Sequence, residues 1–173
     1  MAGRQFVFGY GSLAGGGAGR PARLEGHRRV WGVAMDNRVD IPGYKVYLRE
    51  DGSRPAVFVA FLDLLAQEGA TTDGLLLEVD DEALRAVDER ERNYERVDVS
   101  GAVDGARGAT VWAYRGTSAG RERLRCGLAK RRAVVARSYL ETVRAGFAAA
   151  GIRDGADPGE LPVMDLERVD LPP

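Results

Sequence analysis

The chain has 173 residues, 45% of them hydrophobic and 29% charged, which is the composition of one ordinary globular domain with enough apolar side chain for a real core. A formal net charge of −1 provides no basic field to draw in nucleic acid or an anionic membrane surface. With one cysteine (Cys126) and one histidine (His27), an internal disulfide framework and the usual His/Cys zinc spacings are excluded, and no metal is expected.

The first element is a strand carrying Phe6, Phe8 and Tyr10 in alternation with Val7 and Gly9, the pattern of a half-buried strand. It runs into Gly9-Tyr10-Gly11-Ser12-Leu13, where glycine frees the backbone for φ values closed to other residues. Successive amides at Gly11, Ser12 and Leu13 either form a nest for a carboxylate or oxyanion, or make a turn that binds nothing. Residues 14–21 hold four more glycines and Pro21, too many helix breakers for a regular helix, and are expected to be a mobile loop. Gly9 to Ala14 also fits the dinucleotide fingerprint after a strand, but the helix that must follow it is missing, and no Gly-Lys-Ser/Thr phosphate loop occurs.

Short strands are predicted at 29–35, 46–49, 56–62, 74–79, 96–100 and 110–114, from β-branched and aromatic content between turn signals. Asp51-Gly52-Ser53 reads as a hairpin turn, and Asp104-Gly105 with Gly108 as another. One helix interrupts the strands, capped by Asp80 or Asp81, with Leu84 and Val87 on its apolar face. A second is predicted over 130–150, where Val135, Tyr139, Leu140, Val143 and Phe147 form a core stripe and Gly151 ends it. The arginines from 121 to 137 are read as a solvated loop and helix face rather than a nucleic-acid patch, since no aromatics interleave them. Residues 153–173 mix acids with prolines and are expected to be extended or docked without regular structure, leaving residues 1–152 as the domain. No apolar run reaches membrane-span length and no signal-peptide pattern opens the chain, so a cytoplasmic protein without membrane contact is expected.

One carboxylate breaks the bland pattern. Leu84, Val87 and Glu91 fall at i, i+3 and i+7, which places Glu91 on the apolar stripe, while Asp88 and Glu89 fall at its border and on the solvent side. Burial and the negative end of the helix dipole both disfavour the charged form, raising the pKa toward the range useful for proton transfer. The alternative reading makes Glu91 half of a buried ion pair with Arg92, Arg96 or another arginine. Tyr94 and Tyr114 are candidate contacts that also read as packing residues.

The Tyr-Gly-Ser-Leu turn at 10–13 and a Val-Asp-x-x-Glu helix ending at Glu91 resemble the γ-glutamylcyclotransferase family, which includes ChaC-like and AIG2-like proteins. Ile41-Pro42-Gly43-Tyr44, Val111-Trp112-Ala113-Tyr114 and the helix around Tyr139 extend the resemblance over residues 4 to 150; Arg92 stands where many members carry glycine. The resemblance implies an α+β fold, a small mixed β-barrel with flanking helices, in which turn and glutamate meet in one cavity. It implies an enzyme that cyclises a γ-glutamyl group to 5-oxoproline and releases an amine or amino acid. Glu91 is then the acid/base; Tyr10, Gly11, Ser12 and Leu13, with Tyr94 and Tyr114, contact the small-molecule substrate. Ring closure is intramolecular, so neither an enzyme nucleophile nor a cofactor is expected. A non-catalytic ligand-binding or interaction module of the same fold is the competing expectation.

Overall fold

The computed structural model describes residues 3–16, 19–153 and 155–173. Strand β1 (Gln5–Gly9) lies inside the main sheet, antiparallel to β4 (Phe58–Val79) and parallel to β6 (Thr110–Gly116). Phe6, Val7 and Phe8 are all buried, so β1 is covered on both faces and the half-buried expectation is corrected.

The predicted strands 56–62 and 74–79 are one 22-residue strand, β4, and 29–35 is the end of the 17-residue β2 (Arg20–Asp36). The two run antiparallel with irregularities at Glu25/His27 and Trp31/Val33. Polar stretches hid their length, because ladder hydrogen bonds join backbones and do not require apolar side chains. Tyr94–Asp98 forms β5, antiparallel to β6, and Gly105 and Gly108, both with positive φ, turn the chain between them as expected.

Asp51-Gly52-Ser53 does turn the chain, with the Arg49 N–H bonded to the Ser53 carbonyl at 2.8 Å. It is not a hairpin, however: β3 (Lys45–Leu48) pairs antiparallel with β9 (Glu167–Asp170) from the far end of the chain. The buried Asn37 amide anchors β3 by donating to the carbonyls of Tyr47 and Pro55 and accepting from the Tyr47 N–H.

Helix α1 (Asp81–Arg90) starts as predicted, with the Asp80 carboxylate accepting from the Ala83 N–H at 2.8 Å. The helix predicted over 130–150 is corrected. Residues Ser118–Ala129 form α2, Ala133–Ala136 form strand β7, and only Arg137–Ala149 form the helix α3. Val135 belongs to β7, which is buried throughout and parallel to both β4 and β8 (Val163–Met164). A short, wholly apolar run has no period that separates strand from helix.

Two arginines assigned to a solvated face turn inward instead. Arg121 pairs with the fully buried Asp63 at 2.9 Å, and Arg123 donates to the Ala34 carbonyl and the Asn93 side chain. Residues 153–173 likewise contribute β8 and β9, and Leu166 is 2% exposed, so this stretch is docked and partly strand.

Among the described residues the architecture is α+β: three helices on a seven-stranded mixed sheet ordered β5-β6-β1-β4-β7-β8 with β2 on β4, and the small β3-β9 pair. Among the described residues the pairings form an open path from β5 to β8 and do not themselves close the implied barrel. Among the described residues no helix is long and apolar enough to cross a membrane.

Candidate active site

The turn after β1 is made differently from the expectation. Neither Gly9 nor Gly11 adopts a positive φ. Glycine there serves close approach: a Cβ on Gly11 would stand a tight 3.2 Å from the Tyr139 hydroxyl, and one on Gly9 would stand 3.1 Å from the Ala14 nitrogen. The Ala14 N–H bonds back to the Gly11 carbonyl at 3.0 Å, and Ser12–Gly16 continues as a short 3₁₀ turn packed on α3. The loop expected over 14–21 is therefore partly 3₁₀ turn and partly the start of β2; residues 17 and 18 lie outside the described residues.

Glu91 caps the C-terminus of α1, its N–H bonded to the Val87 carbonyl and its own carbonyl accepting from the Tyr94 N–H. Its side chain is 14% exposed. The nearest cation is Arg90, with Nε at 3.6 Å from the carboxylate and its own side chain half in solvent, too loose to lock the acid. Arg96 is engaged with Asp88 at 2.9 Å. Burial raises the Glu91 pKa above the usual glutamate value, against the smaller opposing pull of Arg90 and Lys45.

Glu91 lines two adjoining hollows. The larger of the two has a volume of about 180 Å³ and includes Ser12, Tyr44, Lys45, Tyr94, Tyr139 and Arg168 in its wall. The smaller, about 20 Å³, is bounded by Tyr10, Gly11, Ser12 and Leu13 from the turn and by Tyr94, Tyr114 and Tyr139. The turn and the glutamate thus face a common space, joined where Ser12, Glu91, Tyr94 and Tyr139 belong to both walls.

Four tyrosine hydroxyls surround it, in two pairs with different bonding. Tyr10 donates to the Tyr114 carbonyl and Tyr94 to the Leu62 carbonyl at 2.6 Å, so their protons are committed to the scaffold. Tyr44 accepts from the Asn93 amide at 3.2 Å, and Tyr139 from the Leu62 N–H at a long 3.4 Å. Among the described residues neither of these two donates elsewhere, leaving a proton for a bound molecule. Burial lifts all four pKa values, that of Tyr44 to about 12, so they stay neutral donors around pH 7. The Tyr114 hydroxyl donates to Asp88 at 2.7 Å, so this ring lines the smaller hollow while its polar end serves the scaffold.

Tyr44, Lys45, Tyr139 and Arg168 were not among the predicted contacts. Tyr44 and Tyr139 stood in segments already singled out, whereas Lys45 and Arg168 carried no local signal, since β3 and β9 bring them together only on pairing. Among the described residues no group of three or more His, Cys, Asp or Glu is placed to hold a metal ion.

Residues 7–130 match the family described as gamma-glutamyl cyclotransferase, AIG2-like. No curated protein matches the chain significantly. Among solved structures, an uncharacterized protein from Homo sapiens is 16% identical, with 86% of this chain and 80% of that one covered at a TM-score of 0.55. A gamma-glutamyl cyclotransferase is 14% identical (91% and 93% covered, TM-score 0.44), and a yeast gamma-glutamyl cyclotransferase specific to glutathione is 16% identical (69% and 73% covered, TM-score 0.46). The human protein shares the fold. With well over half of its length matched, from the first strand through α2, this chain belongs to the AIG2-like gamma-glutamyl cyclotransferase family.

Proposed function

We propose that the protein is a γ-glutamylcyclotransferase-type enzyme that closes a γ-glutamyl group to 5-oxoproline and frees the attached amine or amino acid, with Glu91 as general acid/base. The observation that carries this reading is the Glu91 carboxyl, largely buried and raised in pKa, in a wall shared with the 10–13 turn. The substrate α-amine attacks its own γ-carbonyl carbon, forming the ring C–N bond. Intramolecular attack of this kind gains from high effective molarity and needs no enzyme nucleophile. Glu91 as carboxylate takes the proton from the attacking nitrogen; as carboxylic acid it returns that proton to the departing nitrogen when the original amide C–N bond breaks. No water is consumed and the catalyst ends in its starting state. The developing oxyanion is held by backbone amides of the 10–13 turn, with the uncommitted hydroxyls of Tyr44 and Tyr139 as further donors.

Incubation with a panel of γ-glutamyl peptides and amines, with 5-oxoproline followed by mass, tests the proposal. Turnover is expected in the wild type, with a loss of about two to four orders of magnitude in Glu91→Gln. Glu91→Gln turnover within a few-fold of wild type removes this residue from the mechanism. Calorimetric binding of the same compounds without product assigns the protein to the non-catalytic module instead.

A further inference from the structure

Around the larger hollow the charges are lopsided. Among the described residues Glu91 is its one acid, while Lys45, Arg90 and Arg168 all line it. Lys45 is the inner member of the three. Its ammonium lies 4.4 Å from the Phe61 ring centre, 5.2 Å from that of Tyr44 and 6.0 Å from that of Tyr47. Among the described residues no carboxylate pairs with it and no carbonyl accepts from it. Aromatic faces attract a cation but accept no strong hydrogen bond, so its N–H groups remain available toward the hollow. Arg168 comes from β9, beyond the matched residues 7–130, and is delivered beside Lys45 by the β3-β9 ladder, in which Lys45 faces Asp170 and Tyr47 faces Arg168. Its Nε is tied to Asp170 at 2.7 Å, which orients the guanidinium and leaves its terminal nitrogens without a hydrogen-bond partner among the described residues.

We propose that Lys45 and Arg168 form an anion subsite for the leaving group, so that the preferred substrates are γ-glutamyl compounds whose departing amine carries a carboxylate, and those with cationic departing amines are rejected. This inference rests on the cyclotransferase reading. It assigns specificity to a lysine on β3 and to the C-terminal strand that holds it in place. Partial burial is what gives the subsite its force, because an ammonium with few waters around it gains more from an incoming carboxylate than an exposed one does.

Three matched compounds test it: γ-glutamyl-alanine, γ-glutamyl-ethylamine, which lacks only the carboxylate, and the cationic γ-glutamyl-ethylenediamine. Affinities are measured by calorimetry on Glu91→Gln, where binding is read whether or not the wild type turns over, and kcat/KM is measured on the wild type. The alanine compound is expected to exceed the ethylamine compound by about 10- to 100-fold and the diamine compound by more, the range of a charge-assisted hydrogen bond in a partly buried site. Adding Lys45→Met brings the alanine-to-ethylamine ratio to within about two-fold, and adding Arg168→Gln lowers it by a smaller factor, with folding of each variant checked by circular dichroism. Equal affinity for the charged and neutral compounds overturns the inference. So does a Lys45→Met variant that loses affinity for all three alike, since the lysine would then serve the γ-glutamyl part. A preserved ratio with no turnover keeps the subsite and refutes the cyclotransferase reading alone.

Discussion

Lys45→Met is expected to make the protein more stable at neutral pH while removing its selectivity for an anionic leaving group. Burial, together with repulsion from Arg168, lowers the Lys45 pKa from 10.5 to about 8. The fall from 10.5 to about 8, at about 1.4 kcal/mol per pH unit, makes the ammonium a burden on folding of about 3–4 kcal/mol. The three aromatic rings return roughly 0.5–2 kcal/mol of this through cation–π attraction, leaving about 1–3 kcal/mol. Because the folded pKa lies below the unfolded one, the unfolded chain binds more protons between pH 8 and 10.5. The penalty is therefore complete below pH 8 and fades as pH rises toward 10.5. Methionine keeps the apolar stem against Phe61 and carries no charge. Urea denaturation of both proteins from pH 7 to 10.5 measures the difference directly. The variant's lead at pH 7 corresponds to roughly 2–12 °C in Tm for a chain of this size, and it closes at the alkaline end. A variant less stable than wild type at pH 7, or a lead that does not change with pH, refutes the reasoning.

Glu91 gives the mirror case. Its folded pKa is raised, so the folded state holds the proton more tightly and stability falls as pH climbs from the ordinary 4.5 through the folded value. Glu91→Gln is then expected to gain on wild type between pH 4 and pH 7, by about 1.4 kcal/mol for each unit of displacement, in paired denaturation curves. A gap that stays constant contradicts the assigned environment. Gly11→Ala sets a methyl 3.2 Å from the Tyr139 hydroxyl, so α3 must give by a few tenths of an ångström; kcat/KM is expected to fall about 10-fold or more with a small change in Tm. Arg121→Met strips the counter-charge from the fully buried Asp63. Two backbone N–H bonds from Leu64 and Gly116 remain, so a loss of about 2–3 kcal/mol is expected by urea denaturation, below the full cost of an orphaned buried charge.

Local pattern carried the reading of Glu91, because i, i+3, i+7 spacing on a helix is geometry that a sequence states outright. It carried the need for glycine at Gly11 as well, though for the wrong cause: the constraint is the Tyr139 hydroxyl from α3, an element more than a hundred residues away. The stretch 133–136 was misread because four buried apolar residues serve a central strand and a helix core equally well. Arg121 and Arg123 were read as solvated because nothing in their own segment announces Asp63 or Asn93 across the fold.

Composition, an aspartate cap at Asp80 or Asp81 and the inward phase of Glu91 follow from the chain alone, since each depends on residues within one or two helical turns of each other. The meeting of that glutamate with the turn, the split between committed and uncommitted tyrosine hydroxyls, and the arrival of Arg168 beside Lys45 were decided by tertiary structure. The physical reason is that burial and charge environment are set by what packs against a side chain. Here the packing partners come from β1, β3, β4, α3 and β9, segments spread across nearly the whole sequence.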